Sequence, residues 1–344
     1  MCIIKTSMHT AFTIVHPVRA MDSERMTLLA QVASWYYDRN LGQELIAQRV
    51  GRSRSMVSRM LQEARQLGLV TIQVHFPLRT DADLAGRLCQ TFGLAEAHVL
   101  ADVPTDYEML LQQLGELGAR CLQRKLHDGM TIGMSWGTAL YQVVRAMPEV
   151  PLHGVAIVQF IGAVGHGDPM VDGLELARWL AQKLSASLRS MQAPLMVENE
   201  AVAAGLLQDR AIAEVLAMAR RVEVALVGVG TVEPPQLSSL WRPGYLTETD
   251  LVHMRRAGIV ADVLGRPLDA EGRWVHTAFD RRVIGVDLET LKTIPTVIAV
   301  AGGPAKIRAI LAALRGGYFN VLVTDAKAAA AVLATNQQAV QGEV

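Results

Sequence analysis

Hydrogen-bond donors crowd a short stretch near the amino terminus, in the sequence GRSRSMVSRMLQEAR. Arginine presents a fork of N–H donors that can pair with phosphate oxygens or with the edge of guanine, and serine hydroxyls suit the same acceptors. A helix that enters the major groove of DNA presents such donors from its first turns. The pattern therefore predicts a DNA-contacting surface formed by Arg52, Ser53, Arg54, Ser55, Ser58 and Arg59.

The elements that would hold these donors are indicated by the periodicity of apolar residues. Three apolar faces at helical spacing predict three helices. The first face consists of Leu28, Leu29, Val32, Ala33 and Tyr36, the second of Leu45, Ile46 and Val50, and the third of Val57, Met60, Leu61 and Ala64. The segment 51–53 is short enough for a tight turn, and its Ser53 is placed to cap the third helix. Gly68 ends that helix, and the run LVTIQV over 69–74 predicts a strand. We therefore predict an all-α, winged-helix-like helix-turn-helix domain over residues 21–78.

Local charge supports a DNA-contacting role for this region. The formal net charge of the chain is zero, but residues 25–66 contain seven arginines and three acidic residues. Phosphate backbones attract such a positive surplus. The alternative is a small structural helical unit whose arginines are simply hydrated.

The composition limits the class of protein. Hydrophobic residues make up 51% and charged residues 19% of the chain, as is typical of globular proteins. No apolar run approaches the roughly 18 to 20 residues that a membrane span needs. The three cysteines are far apart and are not paired with histidine at metal-ligand spacing, so we expect no disulfide framework, metal site or cofactor, and a reducing cytoplasm.

Residues 1–20 are interpreted as a disordered extension or as a start codon assigned too early, with Met21 or Met26 as the start.

From residue 79 to 344, β and α patterns alternate after the short boundary segment HFPLRTD. Strands are predicted over 98–101, 131–134, 155–160, 222–229, 283–286, 297–301 and 321–324. Short apolar strands with helices between them predict an α/β, Rossmann-like fold with a mostly parallel sheet covered on both faces. Ligands of such sheets bind beyond the carboxyl ends of the strands, so the loops after strands are the candidate sites.

Several motifs, taken together in their order and spacing, are specific to one family. They include LLAQVASWYYDRNLGQELIAQRVGRSRSMVSRMLQEARQLGLV, DGMTIGMSWGTAL, ALVGVGTV, AGIVADVLGRPLDAEGR and VIAVAGGPAKIRAILAALRGGYFNVLVTDAKAAAAVL. Over residues 25–335 the chain resembles the SorC family of sugar-responsive bacterial transcriptional regulators. The resemblance implies a DNA-binding domain followed by an effector domain similar to sugar-phosphate isomerases and deaminases. It also implies frequent tetramers and a phosphorylated sugar or polyol as inducer. Ile161 stands where the family commonly has asparagine, and Ala261 where it has glycine, both in loops predicted to face the ligand.

The first candidate effector loop follows a predicted strand in MTIGMSWGTALYQVV. Backbone N–H groups at a helix N-terminus, with small hydroxyl side chains beside them, form an anion site. The alternative is an ordinary turn between a strand and a helix. With the resemblance, we favour phosphate binding by Ser135, Gly137 and Thr138, and Trp136 joins the effector-binding set.

A second candidate loop contains Gly302 and Gly303, which follow a predicted strand. Pro304 suits the first helical position, which places Lys306 in the first turn, where the helix dipole disfavours a cation. An anionic ligand would offset that penalty, whereas the alternative is a lysine extended into solvent. The match to a ligand-contacting lysine of the family favours the ligand.

Asp262 is predicted in a glycine-flanked loop, where its carboxylate either accepts hydrogen bonds from sugar hydroxyls or stabilises a turn. The resemblance favours the ligand, and Gly162, in the loop after another strand, joins the candidate set. Two further aspartates, Asp287 and Asp325, are predicted to be helix N-caps. His166 and Asp168 follow a predicted strand, and they either line the pocket or lie in a mobile surface loop.

The leading hypothesis is a transcriptional regulator that binds a double-stranded DNA operator. Its residues 79–344 are expected to bind a sugar or sugar phosphate and to form a homo-oligomer, a tetramer by the resemblance. We expect no membrane partner. A sugar-phosphate isomerase or deaminase that carries a DNA-binding domain is the alternative. Isomerisation needs a positioned general base, and no carboxylate or histidine stands out as one, so no catalytic residue is predicted. A third hypothesis is a structural DNA-binding scaffold without a ligand.

Overall fold

Three helices form where apolar periodicity predicts them near the amino terminus: α1 (Ser23–Tyr37), α2 (Gln43–Val50) and α3 (Arg54–Gln66). Their inward faces share one core, and the most deeply buried side chains in it include Leu29, Val32, Ile46, Val57 and Leu61. Gly51 ends α2 with a φ of 63°, a left-handed conformation that glycine adopts at little cost. Ser53 then caps α3, because its hydroxyl accepts a hydrogen bond of 3.2 Å from the amide of Met56.

The computed structural model describes residues 23–70, 77–164, 172–233 and 247–342. The chain separates into two compact units, residues 1–75 and residues 76–344. Most of the strand predicted over 69–74 lies outside the described residues and stays a prediction. In the described part of the chain, none of the helices is both long and apolar enough to cross a membrane.

Strands and helices alternate in the second unit. The described strands are β1 (Glu96–Leu100), β2 (Thr131–Met134), β3 (Ala156–Gln159), β4 (Ser187–Arg189), β5 (Val224–Gly228), β6 (Gly230–Thr231), β7 (Ile259–Val263), β8 (Arg266–Asp269), β9 (Thr296–Val300) and β10 (Val321–Asp325). The described helices are α4 (Ala82–Phe92), α5 (Tyr107–Gln123), α6 (Thr138–Ala146), α7 (Gly173–Leu184), α8 (Glu200–Gln208), α9 (Arg210–Ala219), α10 (Glu248–Arg256), α11 (Leu288–Lys292), α12 (Ile307–Gly316) and α13 (Ala326–Gly342).

Seven strands form one parallel sheet in the order β1-β10-β9-β5-β2-β3-β4. One apolar core packs α5, α6 and α7 against this sheet, and a second contains residues of α4, α9, α12 and α13. This confirms the predicted mostly parallel sheet covered on both faces. The chain leaves β2 toward β3 and β4 and then returns to place β5 on the other side of β2. The order of strands therefore reverses between β2 and β5, where a crevice opens beyond the strand ends.

Two parts of this unit differ from the prediction. The segment 283–286 is not a strand: a short 3-10 helix, Asp280–Arg282, precedes it, and its pairing with other strands is limited to isolated bridges, from Val283 to Met196 and from Gly285 to Ile161. Its apolar residues are buried by packing, which periodicity alone does not distinguish from pairing in a sheet. In addition, β6, β7 and β8 form a small antiparallel sheet that was not predicted.

Candidate functional site

A cavity lies beyond the carboxyl ends of β2, β5 and β9, beside the point where the strand order reverses. The empty space in it and at its open mouth together amounts to about 660 Å³. The described residues that line it are Tyr107, Leu111, Ser135, Trp136, Gly137, Thr138, Ala139, Gly228, Val229, Gly230, Asp262, Leu264, Val300, Ala301, Gly302 and Lys306. The fold thus brings both predicted effector loops and Asp262 to one place.

The loop from Ser135 to Thr138 forms one wall of the cavity. Ser135 is buried, and its amide donates a hydrogen bond of 3.1 Å to the carbonyl of Leu226, so that amide is already engaged. Gly137 immediately precedes α6 with a φ of 113°, a conformation that side chains other than glycine rarely adopt. The first amides of a helix have no carbonyl partner within the helix. The start of α6 therefore places hydrogen-bond donors and the positive end of a helix dipole at the cavity.

Lys306 brings a cation to the same cavity. It ends a short 3-10 helix, Pro304–Lys306, and serves as the N-cap of α12 rather than lying within its first turn. The Nζ atom turns back and donates a hydrogen bond of 2.8 Å to the carbonyl of Val229. The alternative of a lysine extended into solvent is therefore wrong. The bond to Val229 fixes the ammonium group at the cavity wall.

Asp262 lies within β7, opposite Gly230 of β6, and not in the predicted loop. Its side chain is buried, and burial raises the pKa of the carboxyl group to about 6, against the opposing effects of the Lys306 charge and a hydrogen bond from the amide of Gly265. A Cβ atom at Gly230 would overlap the Asp262 carboxylate. Because glycine has no side chain, Gly230 provides the space that the Asp262 carboxylate occupies.

The predicted glycines divide into two groups. Gly302 lines the cavity, whereas Gly303 and Gly162 do not. The amide of Gly303 donates a hydrogen bond of 2.6 Å to Oδ2 of Asp325. The amide of Gly162 donates one of 3.0 Å to the carbonyl of Ile284, and a Cβ atom at Gly162 would overlap the carbonyl of Pro194. Close backbone packing therefore accounts for Gly162.

The two departures from the family pattern do not lie in ligand-facing loops. Ile161 is fully buried and forms an isolated bridge with Gly285, and Ala261 is fully buried within β7. Asp287 and Asp325 accept hydrogen bonds from the amides at the starts of α11 and α13, which confirms both as caps. The candidates His166 and Asp168 lie outside the described residues.

Sequence reasoning missed several residues of the cavity wall. Tyr107 begins α5, and its ring lies against Gly303. Gly228 ends β5 and Val229 lies between β5 and β6, and the two glycines of the run GVGTV were the available signal. Leu264 has a φ of 55°, which is unusual for leucine. The sequence around Leu264 therefore did not predict this conformation.

The six predicted DNA-contacting residues are all exposed in the first unit. Ser53 and Ser55 lie with their hydroxyl oxygens 2.9 Å apart, and Ser53 also caps α3. Arg54 pairs with Glu44 at 3.1 Å, with 70% and 67% of the two side chains exposed. Such exposed pairs contribute little to stability, so Arg54 can exchange this partner for another at small cost. The donors of the turn and of α3 thus form one exposed polar surface.

Comparison with known proteins extends this description. The model of the family described as "Putative sugar-binding domain" matches residues 77–334. The chain is 33% identical over 313 residues to the deoxyribonucleoside regulator of Bacillus subtilis (strain 168), with 91% of this chain and 99% of that protein covered. It is 29% identical over 317 residues to the sorbitol operon regulator of Klebsiella pneumoniae, with 91% and 99% covered. The crystal structure of the full-length sorbitol operon regulator SorC from Klebsiella pneumoniae superposes with a TM-score of 0.68 and 27% identity, over 90% of this chain and 100% of that one.

Proposed function

Because this chain belongs to the SorC family of sugar-responsive bacterial transcriptional regulators, we propose that the cavity beyond β2, β5 and β9 binds its effector. The chain is a DNA-binding regulator of transcription that a sugar modulates. One observation carries the assignment of the site: Lys306, Asp262 and the start of α6 converge on a single crevice where the strand order reverses. Open α/β sheets bind their ligands at such crevices.

The chemistry of the cavity favours a phosphorylated sugar or polyol as the effector. The Lys306 ammonium group and the first amides of α6 attract an anionic group. The Asp262 carboxylate accepts hydrogen bonds from hydroxyl groups. Two relatives carry names that refer to deoxyribonucleosides and to sorbitol, which both carry hydroxyl groups. Serine and threonine hydroxyls at 135 and 138 add neutral partners on the same wall.

In the first unit, α2, the turn at 51–53 and α3 act in this proposal as a helix-turn-helix. The exposed donors of α3 then enter the major groove, and α2 braces the helix against the backbone. The surplus of arginine over acidic residues between 25 and 66 supplies the charge that attracts phosphate. Regulation follows if the effector binds the DNA-competent and DNA-incompetent states with different affinity.

Specific binding by such a small reading helix requires more than one copy. One helix-turn-helix contacts only a few base pairs, so a useful site needs two half-sites about one helical turn, or a multiple of it, apart. We therefore propose at least a dimer, and the family resemblance favours a tetramer acting on DNA in the cytoplasm. Light scattering at micromolar concentration tests this, and a monomer with and without operator DNA would contradict it.

A thermal-shift screen that compares phosphorylated and unphosphorylated forms of the same sugars and polyols tests the effector site. A ligand that binds only the native protein must raise its melting temperature. The best ligand should be phosphorylated and should stabilise Asp262→Asn much less than the wild type. The matched control is Asp83→Asn in α4, where 82% of the aspartate side chain is exposed. Equal stabilisation of Asp262→Asn and Asp83→Asn would contradict the assignment.

The cavity acts in this proposal as a binding site without catalysis. Relatives over nearly the whole chain are regulators of transcription. Incubation of the purified protein with the same sugar phosphates should leave them unchanged. Turnover that disappears in Asp262→Asn would instead support the isomerase or deaminase alternative, with Asp262 as its general base.

A further inference from the structure

A cluster of metal-ligating side chains lies away from the effector cavity, between the edge strand β1 and the helix α5. Glu96 and His98 project from β1, and Cys121 lies in the last turns of α5. One ligand atom from each of the three residues lies within 4.8 Å of the other two. Glu96 and His98 are partly buried and Cys121 is fully buried. No spacing in the sequence reveals this cluster, because packing of α5 beside β1 brings distant residues together.

The hydrogen bonds around His98 are mutually incompatible. Its Nε2 atom lies 3.0 Å from Oε2 of Glu96, which can only accept when ionised, and 3.3 Å from Nη2 of Arg124, which can only donate. One neutral ring nitrogen either donates or accepts, so it cannot satisfy both partners. A proton on both ring nitrogens would satisfy Glu96 but would face Arg124. The imidazole therefore cannot satisfy both of these partners at once.

We propose that Glu96, His98 and Cys121 bind a zinc ion through one carboxylate oxygen, Nε2 and the Cys121 sulfur. Carboxylate, imidazole and thiolate are the three ligand types that zinc takes in proteins, and water completes a tetrahedral site. Around a tetrahedral zinc ion, bonds of about 2.0 to 2.3 Å place two ligand atoms about 3.3 to 3.8 Å apart. Side-chain rotation therefore has to bring the three ligand atoms closer together by at most about 1.5 Å. The Nε2 lone pair then has a single partner.

The ion has to displace two cations and a proton. Nζ of Lys125 lies 2.5 Å from Oε1 of Glu96, and Arg124 contacts His98. Both follow Cys121 closely in the chain, and Arg124 is exposed, so its guanidinium group can move into water. Zinc binds the thiolate form of cysteine, so zinc binding also releases the thiol proton of Cys121. The ligand set then carries two negative charges against the two positive charges of the ion.

Titration of the full-length, chelator-treated protein with Co²⁺ tests the site directly. Cobalt bonded to a thiolate absorbs in the near ultraviolet, which reports whether cysteine is a ligand. We expect one equivalent of Co²⁺ to produce this band and Zn²⁺ to abolish it by displacement. The band should persist in Cys89→Ser, the matched control in α4, and should be lost in Cys121→Ser. A wild type that shows no band with saturating Co²⁺ would refute the site, as would an unchanged band in Cys121→Ser.

A second variant keeps the test valid if Cys121→Ser does not fold. His98→Gln retains the thiol and removes only the imidazole ligand from a partly exposed position. Loss of partners that merely orient a ligand weakens metal binding about 10- to 100-fold, so loss of the imidazole itself should weaken Zn²⁺ binding at least about 10-fold. Calorimetry with Zn²⁺ on wild type and His98→Gln measures the ratio. Equal affinities would show that the three residues form only an ion-pair network.

Discussion

Replacement of Lys306 with alanine tests whether an effector anion binds where the structure places a cation. In the wild type, Nζ of Lys306 is held by the carbonyl of Val229 at 2.8 Å, so no large rearrangement is needed before it meets a ligand. A hydrogen bond to a charged group contributes about 1.5 to 3 kcal/mol. Its loss should therefore raise the effector dissociation constant about 10- to 150-fold. The matched control is Lys327→Ala, which removes an exposed lysine of α13.

The assay is an effector titration of preformed operator complexes at one salt concentration. Operator affinity without effector should be the same in both variants, because Lys306 belongs to the unit 76–344 and the proposed reading helix to the other unit. Lys306→Ala should need much more effector to reach the same response, since an effector that binds neither state well cannot shift their balance. An unchanged midpoint in Lys306→Ala would refute the reasoning, and a midpoint shifted equally in Lys327→Ala would show a general charge effect.

Three further predictions concern pH, DNA and stability. The effector is proposed to bind Asp262 as a carboxylate, and burial raises the pKa of this carboxyl group to about 6, so effector affinity should fall as pH falls below about 6, by at most about tenfold per pH unit. Calorimetry at several pH values checks this, and an affinity that rises as pH falls through 6 would contradict the role of the carboxylate as acceptor. Arg54→Ala and Arg59→Ala should each weaken operator binding by about 1 to 3 kcal/mol if the contacts are bidentate to guanine. The control Arg210→Ala, at a side chain that is 92% exposed, should bind normally in the same gel-shift titration. Asp287→Ala should lower the free energy of unfolding by about 0.5 to 2 kcal/mol, because the carboxylate caps α11 at 2.6 Å; an unchanged urea midpoint would contradict it.

The sequence predicts the parallel sheet well and the small antiparallel sheet poorly. Runs of apolar residues bounded by glycine indicate buried parallel strands, and six of the seven predicted segments overlap one. The turn between β7 and β8 uses Leu264 and Gly265, both with positive φ. Such turns usually contain Asn-Gly or Asp-Gly, so the hairpin that carries Asp262 gave no turn signal. Asp262 was therefore predicted in a loop.

Glycine also illustrates why the candidate site could be predicted only in part. Gly302 and Gly162 both follow predicted or observed strands, and composition does not distinguish them. The structure places Gly302 at the cavity and Gly162 against Pro194, where a side chain would overlap the backbone. A glycine needed for close packing and a glycine that leaves room for a ligand have the same sequence signal. Only the tertiary arrangement of the strand ends separates the two roles.

The contact between Gly230 and Asp262 makes these two positions depend on each other. The carboxylate occupies the volume that any side chain at 230 would need, so Gly230→Ala has to displace Asp262 even though no proposed ligand contact is altered chemically. A larger residue at 230 becomes compatible only when position 262 becomes smaller. Attempts to change the ligand preference of this protein through position 230 would therefore have to vary position 262 with it, since a side chain at 230 has no room while Asp262 is retained.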